Sequence, residues 1–304
     1  MRTALKIVAF VMVAVTLSCG GGGKQYDYSD TPVKGKITIS VDESFKPIVD
    51  ALIQVYESNN DSTKINVEYK PESECIKDLW NDSIRMVIST IKLSDSQMQS
   101  VIDSMHVVVN QLPIARDAVA VIANPASKDT LLTMAEIKMI LTGTYTQPLV
   151  PVVDGLQATS TIRFLMDSVL QGRQLTAKAM GASTSDSVIN YVSKNPNAIG
   201  FIGVSWIGNQ DDAQQLSFLK KVKIVQIESS DKPGKYVLPV QANIYTKRYP
   251  MTRDLVYILK EGHRGLGSGF ANFMSGEIGQ LIFKRAYLMP GRRNFIIRPA
   301  ETKQ

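Results

Sequence analysis

From residue 37 onward the chain repeats one unit: a short strand, a polar loop, then a helix. Ile37-Thr38-Ile39-Ser40-Val41 alternates as a strand, residues 42–46 turn, and Pro47 opens a helix whose Ile48, Ala51, Leu52, Val55 and Tyr56 fall on one face. Residues 65–69 read as a second strand, 73–82 as a helix, and 86–89 as a third strand that ends at Thr90. Residues 118–122 form an apolar strand after Arg116-Asp117, and Thr133 caps a helix that runs to Leu141 and stops near Gly143. The strand at 149–153 feeds a loop and an amphipathic helix, and 183–186 precede a further helical stretch to Val192. Ala198-Ile199-Gly200-Phe201-Ile202-Gly203 reads as a buried strand with close backbone approach. Strands alternating with helices in this way predict an α/β fold built on a mostly parallel sheet.

Hydroxyl residues sit at the tips of three of these strand-to-helix junctions: Ser44 in the first loop, Thr90 at the end of the third strand, and Thr159, Ser160 and Thr161 in the loop after residue 153. In open α/β sheets ligands lie outside the carboxyl ends of the strands, so these tips can face one crevice. The first turn of a helix leaves about four backbone N–H groups unpartnered, and hydroxyls add donors without fixed charge. A small oxyanion such as phosphate suits that set. Thr159 and its neighbours also read as an ordinary helix N-cap, and the local sequence leaves both readings open.

The ends of the chain indicate where it works. Arg2 and Lys6 precede an apolar run at 7–17 that is too short to span a bilayer and has the charge layout of a secretory signal. Thr16-Leu17-Ser18-Cys19 followed by four glycines resembles a bacterial lipobox, with Cys19 as the lipidated first residue of the mature protein. Residues 1–18 are thus expected to be a signal peptide and 19–35 a lipidated flexible tether. Cys75 is then the one cysteine left, which excludes an intramolecular disulfide. Net charge is +6 and falls to +4 without Arg2 and Lys6, with both signs scattered and no basic block. This mild bias attracts small anions and excludes a nucleic-acid partner.

Joint order and spacing of several segments carry a resemblance across nearly the whole mature chain. They are D-E-S-F-K-P-I from Asp42, R-M-V-I-S-T-I-K-L-S-D from Arg85, R-D-A-V-A-V-I from Arg116, the hydroxyl loop, and N-P-N-A-I-G-F-I-G-V from Asn195. Y-P-M-T-R from Tyr249, G-E-I-G-Q from Gly276 and Pro290 complete the set. The chain resembles the two-lobed solute-binding proteins of ABC transporters, specifically the phosphate-binding PstS-like family in the form of Bacteroidetes lipoproteins.

That resemblance implies a type II periplasmic-binding-protein fold, each lobe a mixed, mostly parallel sheet flanked by helices, with the ligand cleft between the lobes. Residues 36–116 with 240–304 would form lobe 1, and 117–239 lobe 2. It implies that Ser44, Thr90, Thr159, Ser160 and Thr161 donate hydroxyls to phosphate, completed by backbone N–H groups near Phe45 and Ser160. The expected setting is the periplasmic side of the cell envelope, with ABC permease subunits as partners, a monomeric body and no cofactor or metal. Where the family commonly carries arginines, this chain has Ile91 and Asp154. A carboxylate that accepts the ligand's proton distinguishes hydrogen phosphate from sulfate, and Glu43 or Asp154 would fill that role here. The same departures point to two alternatives: another oxyanion or small organic acid as the guest, or a two-lobed lipoprotein that has lost its ligand and acts in protein interaction or sensing.

An enzyme is not expected. The sequence has no G-x-S-x-G elbow, H-E-x-x-H pair or Walker loop. Its two histidines, His106 and His263, read as structural or exposed, with His263 in a surface turn, and Cys75 as a small buried residue. Arg163 reads as an outward or salt-bridging helix residue, and Arg116 either as a candidate cation for the ligand near the crossover or as a structural ion pair with Asp117.

Overall fold

A computed structural model describes residues 30–155, 159–209 and 211–291. The proposed signal peptide and Cys19 lie outside the described residues. No described helix is long and apolar enough to cross a membrane.

The first half of the chain runs β1 (Gly35–Asp42), α1 (Lys46–Ser58), β2 (Thr63–Lys70), α2 (Glu72–Lys77), β3 (Ile84–Ser89), α3 (Asp95–Met105) and β4 (Val109–Ala123). It continues through β5 (Leu131–Leu132), α4 (Met134–Thr142), β6 (Val150–Val153), α5 (Ser160–Phe164), β7 (Met180–Gly181), α6 (Ser185–Lys194) and β8 (Ala198–Gly203). Then follow α7 (Ala213–Lys221), β9 (Lys223–Ile224), β10 (Gln226–Ser229), β11 (Lys232–Val237), α8 (Gln241–Tyr245), β12 (Thr252–Lys260), α9 (Leu266–Ser275), α10 (Glu277–Arg285) and β13 (Met289–Pro290). Pro47 stands in the first turn of α1, where a missing N–H costs nothing. Thr133 and Glu136 close a capping box on α4, and Gly143 ends it in the left-handed region at φ 76°.

The main sheet has the order β2-β1-β3-β12-β4-β8-β6-β7. On one side β1 runs parallel to β2 and β3, and on the other β6 runs parallel to β7 and β8. The two parallel sets define the lobes, and the antiparallel pair β4 and β12 joins them. The sheet is therefore mixed and the fold two-lobed, as expected, and β4 runs continuously through residues 116 and 117 as one of the strands that join the lobes.

Helices cover both faces, which explains the near-continuous apolar strands. Ala118 through Ile122 and all of β8 are buried. A large cluster that includes Ile39, Val41, Leu52, Val121, Phe201, Phe270 and Phe283 reaches into both lobes, with separate clusters behind β8 and behind β3. Gly200 bears out the close approach read from its strand. A Cβ there would lie 2.8–2.9 Å from Ile122, Val188 and Val192, so α6 could not pack as it does. Cys75 is fully buried, as its sequence context suggests.

Candidate functional site

Carboxyl ends of the parallel strands face one another across the junction of the lobes. After β1 a single helical turn, Glu43–Phe45, places Ser44. After β6 comes Asp154, then Thr159 to Thr161 at the start of α5, and after β7 comes Ser185 at the start of α6. Ser44, Asp154, Thr159, Ser160, Thr161 and Ser185 are all buried, although every one of them carries polar atoms. Such burial is tolerable only where partners are supplied.

Those partners are one another. Asp154 Oδ2 accepts from Ser44 Oγ at 3.0 Å, Thr161 Oγ1 at 3.1 Å and Ser185 Oγ at 3.3 Å, while Oδ1 accepts from Thr159 Oγ1 at 3.1 Å. Ser44 Oγ also lies 3.2 Å from Ser160 Oγ. Both readings of Thr159 hold at once, because its Oγ1 accepts from the Ile162 N–H at 3.3 Å as an N-cap while donating to Asp154. On the lobe 1 side, the Ser44 carbonyl accepts from Ser205 Oγ and Trp206 Nε1, which pins the first loop to the end of β8.

A guanidinium reaches the cluster from Arg253 on β12. Its side chain is 4% exposed. Nε donates to Asp117 Oδ2 at 2.9 Å and Nη1 to Ser160 Oγ at 2.9 Å, and the group lies 5.0 Å from the centre of the Phe45 ring. Buried Phe45 is thus a floor for the cation. Burial opposes the charge of Arg253, yet the carboxylates of Asp117 and Asp42 outweigh it and hold its pKa up. Gly203 permits this approach, since a Cβ there would lie 3.3 Å from Arg253 Nη2, from Asp117 Oδ2 and from the Ser44 carbonyl.

Pairing of Arg253 with Asp117 corrects one expectation. Arg116 and Asp117 are neighbours on β4, so their side chains point to opposite faces of the sheet. Registered antiparallel to them, β12 sets Arg253 opposite Asp117 and Asp254 opposite Arg116. Arg116 therefore pairs with Asp254 at 2.7 Å, and Asp117 with Arg253.

Thr90 does not join the cluster around Asp154. Buried Glu72 draws it away: Glu72 Oε1 accepts from the Thr90 N–H at 2.8 Å and from Thr90 Oγ1 at 2.5 Å. Arg163, read as a salt-bridging residue, completes this second group by donating to Glu72 Oε2 and to Thr90 Oγ1, each at 2.6 Å. The pair ties α5 of one lobe to α2 and β3 of the other. His263 lies in a bend between exposed Gly262 and Arg264, as read from the sequence, but its side chain turns inward, is 13% exposed and sets Nε2 3.1 Å from Asp30 Oδ1.

Two further carboxyl groups border the hydroxyls. Asp42 Oδ1 accepts from the Ser44 N–H at 3.1 Å, and its Oδ2 is buried without a hydrogen-bond partner among the described residues. Burial, reinforced by the charge of Glu72, pushes the Asp42 pKa up to about 7. Glu43 receives the Ser185 N–H at 3.4 Å; burial and then the charge of Asp154 push it up to about 8. Glu43 also lines a cavity of about 620 Å³ between α1 and the helices α6 and α7. A larger cavity, about 910 Å³, lies beside Arg85, Lys260 and His263 and shares no residue with the cluster.

Asp42, Arg253 and Ser185 are the members that sequence reasoning did not assign to the site. Asp42 and Arg253 stand inside segments singled out for resemblance, but no local pattern gives them a role. Arg253 Nη2 is likewise buried without a hydrogen-bond partner. A donor and an acceptor left open beside the same hydroxyls are what a protonated oxyanion would satisfy. Asp30, Glu261 and His263 have potential metal-ligand atoms within 4.8 Å of one another. Their carboxylate oxygens are taken by Arg85 and by backbone N–H groups at the start of α9, which makes them a cap and not a metal site.

A family model for a PBP superfamily domain matches residues 27–277. The phosphate-binding protein PstS of Borreliella burgdorferi is 20% identical over 260 residues, which cover 80% of this chain and 86% of that protein. Among solved structures, one from Clostridium perfringens, assigned to a phosphate ABC transporter substrate-binding protein and holding bound phosphate, superposes with a TM-score of 0.70 at 22% identity, covering 85% of this chain and all of that one. An ABC-type phosphate transport receptor from Vibrio cholerae gives a TM-score of 0.61 at 19% identity, covering 84% of this chain and all of the receptor.

Proposed function

The chain belongs to the PBP superfamily, and we propose that it is an extracytoplasmic solute-binding lipoprotein that captures phosphate between its lobes and delivers it to an ABC permease. One observation carries this reading: hydroxyls from the carboxyl ends of strands in both lobes gather, buried, around one point, where Ser160 also meets a guanidinium that keeps an open donor. In that setting Ser44, Ser160, Thr161 and Ser185 supply neutral dipoles and Arg253 the charge. Neutral donors hold a divalent anion tightly only in low dielectric, so closure of the lobes is part of the affinity.

Asp42 is suited to read the proton. Its open Oδ2 accepts the O–H of hydrogen phosphate, whereas sulfate at neutral pH brings no proton and meets a facing carboxylate. Glu43, with a pKa near 8, is largely protonated at neutral pH and does not repel the anion. The names of the relatives support phosphate and a transporter as partners. The lipobox-like run ending at Cys19 supports a membrane anchor. The reading assigns the chain no catalytic step.

Titration calorimetry of the purified protein with phosphate, sulfate and molybdate tests the proposal. Saturable heat is expected with phosphate and none with sulfate. Replacing Ser160 and Thr161 together by alanine should abolish the phosphate heat and leave the melting temperature within a few degrees. Heat with a different oxyanion alone transfers the reading to that ligand, and silence with all three overturns it.

A further inference from the structure

Each serine or threonine hydroxyl has one proton to give. Ser44, Thr159, Thr161 and Ser185 all spend theirs on Asp154, three on Oδ2, which is thereby saturated, and one on Oδ1. The remaining hydroxyl fits the same direction of donation. Arg253 Nη1 donates to Ser160 Oγ, Ser160 Oγ is in reach of Ser44 Oγ, and Ser44 Oγ donates to Asp154. The chain of bonds starts on the guanidinium and ends on the carboxylate, so the carboxylate is the anion that this cage already serves.

Asp154 is 4% exposed, so bulk solvent does not compete for those lone pairs. An oxyanion entering the cage would find its hydroxyl donors taken and a like charge in their midst. The two cannot share the donors, and their mutual repulsion is greatest where water is excluded. Asp154 belongs to lobe 2 and Ser44 to lobe 1, so the same carboxylate also ties the lobes together. Gly155, with φ at +119°, follows it directly and adopts a backbone conformation that L side chains rarely adopt.

We propose that Asp154 is a built-in competitor for the ligand: its carboxylate fills the hydroxyl cage and latches the lobes until an incoming oxyanion displaces it. The proposal rests on the reading of this cluster as the ligand site. It differs in sign from a role for Asp154 as acceptor of the ligand's proton. A competitor weakens binding by the fraction of molecules it holds, and removing it tightens binding by that factor. A proton acceptor, once removed, weakens binding.

Asp154→Ala and the shape-conserving Asp154→Asn are compared with the wild-type protein by two measurements. Small-angle scattering without ligand reads the latch, and phosphate calorimetry reads the competition. We expect the ligand-free Asp154→Ala protein to show a larger radius of gyration that phosphate reverses, and a phosphate Kd at least about tenfold lower than wild type. Asp154→Asn should shift both in the same direction, which guards against a folding artefact in the alanine variant. An unchanged radius in both variants, or a higher phosphate Kd, overturns the proposal. If the wild-type protein and both variants alike bind no phosphate, sulfate or molybdate, an expanded Asp154→Ala protein upholds the latch and removes phosphate as the ligand.

Discussion

Replacing Arg253 by methionine tests whether the centre of the site is held by charge or merely packed. Its side chain is 4% exposed and that of Asp117 0%, and they meet at 2.9 Å. Methionine conserves much of the length and removes the charge, which strands a carboxylate in the core. Breaking a buried pair in this way costs about 3–5 kcal/mol, and the lost bond to Ser160 adds about 1 kcal/mol. Urea denaturation should therefore show a drop of about 4–6 kcal/mol with an unchanged m-value. The companion variant Asp117→Asn with Arg253→Met removes both charges and should recover at least half of that loss, because no unpaired ion remains. Phosphate binding should stay absent in both, since neither has the guanidinium beside Ser160. A loss below about 1 kcal/mol for Arg253→Met would refute the assignment of a buried ion pair, as would a double variant no more stable than the single one.

Two further outcomes follow from groups outside the ion pair. Glu261 is wholly buried and accepts the N–H groups of Gly265, Gly267 and Ser268 as well as Arg85 Nη1. Glu261→Gln turns an amide donor toward those N–H donors and should cost about 2–4 kcal/mol in the same denaturation assay; a change under about 1 kcal/mol contradicts the cap. Glu43, at about 8 against an ordinary 4.5, and Asp42, at about 7 against 3.8, both bind protons more readily folded than unfolded. Their contribution is fully present below the unfolded values and is lost as pH rises through the folded ones, so stability should fall between about pH 5 and 8. Glu43→Gln should flatten that slope in thermal melts taken across the range, and an unaltered slope excludes Glu43 as its source.

The strand, loop and helix alternation was legible because central strands such as β8 are buried on both faces and helices such as α1 and α4 open with a proline or a cap. The tips were legible for a related reason: whatever lies at the carboxyl ends of parallel strands shares one crevice. Ser44, Thr159, Ser160 and Thr161 do meet there. Thr90 does not, and its exclusion depends on Glu72, a buried carboxylate 18 residues away that claims the hydroxyl and the N–H together. Arg253 stayed hidden because its importance comes from a register. Strand β12 lies antiparallel between the lobes, and that pairing sets residue 253 opposite 117. No run of neighbouring residues encodes such a match. Helix α3 left a local signal in Ser94 and Gln97, which form a capping box at its start.

The most direct test of the account is a crystal structure of the protein grown with phosphate. The account predicts the anion in the cleft between lobes, with oxygens within about 3 Å of Ser44, Ser160, Thr161 and Arg253 Nη2, and the Asp154 carboxylate displaced from the hydroxyls. A protein saturated with phosphate whose cleft holds none, with the four hydroxyls still donating to Asp154, would contradict it.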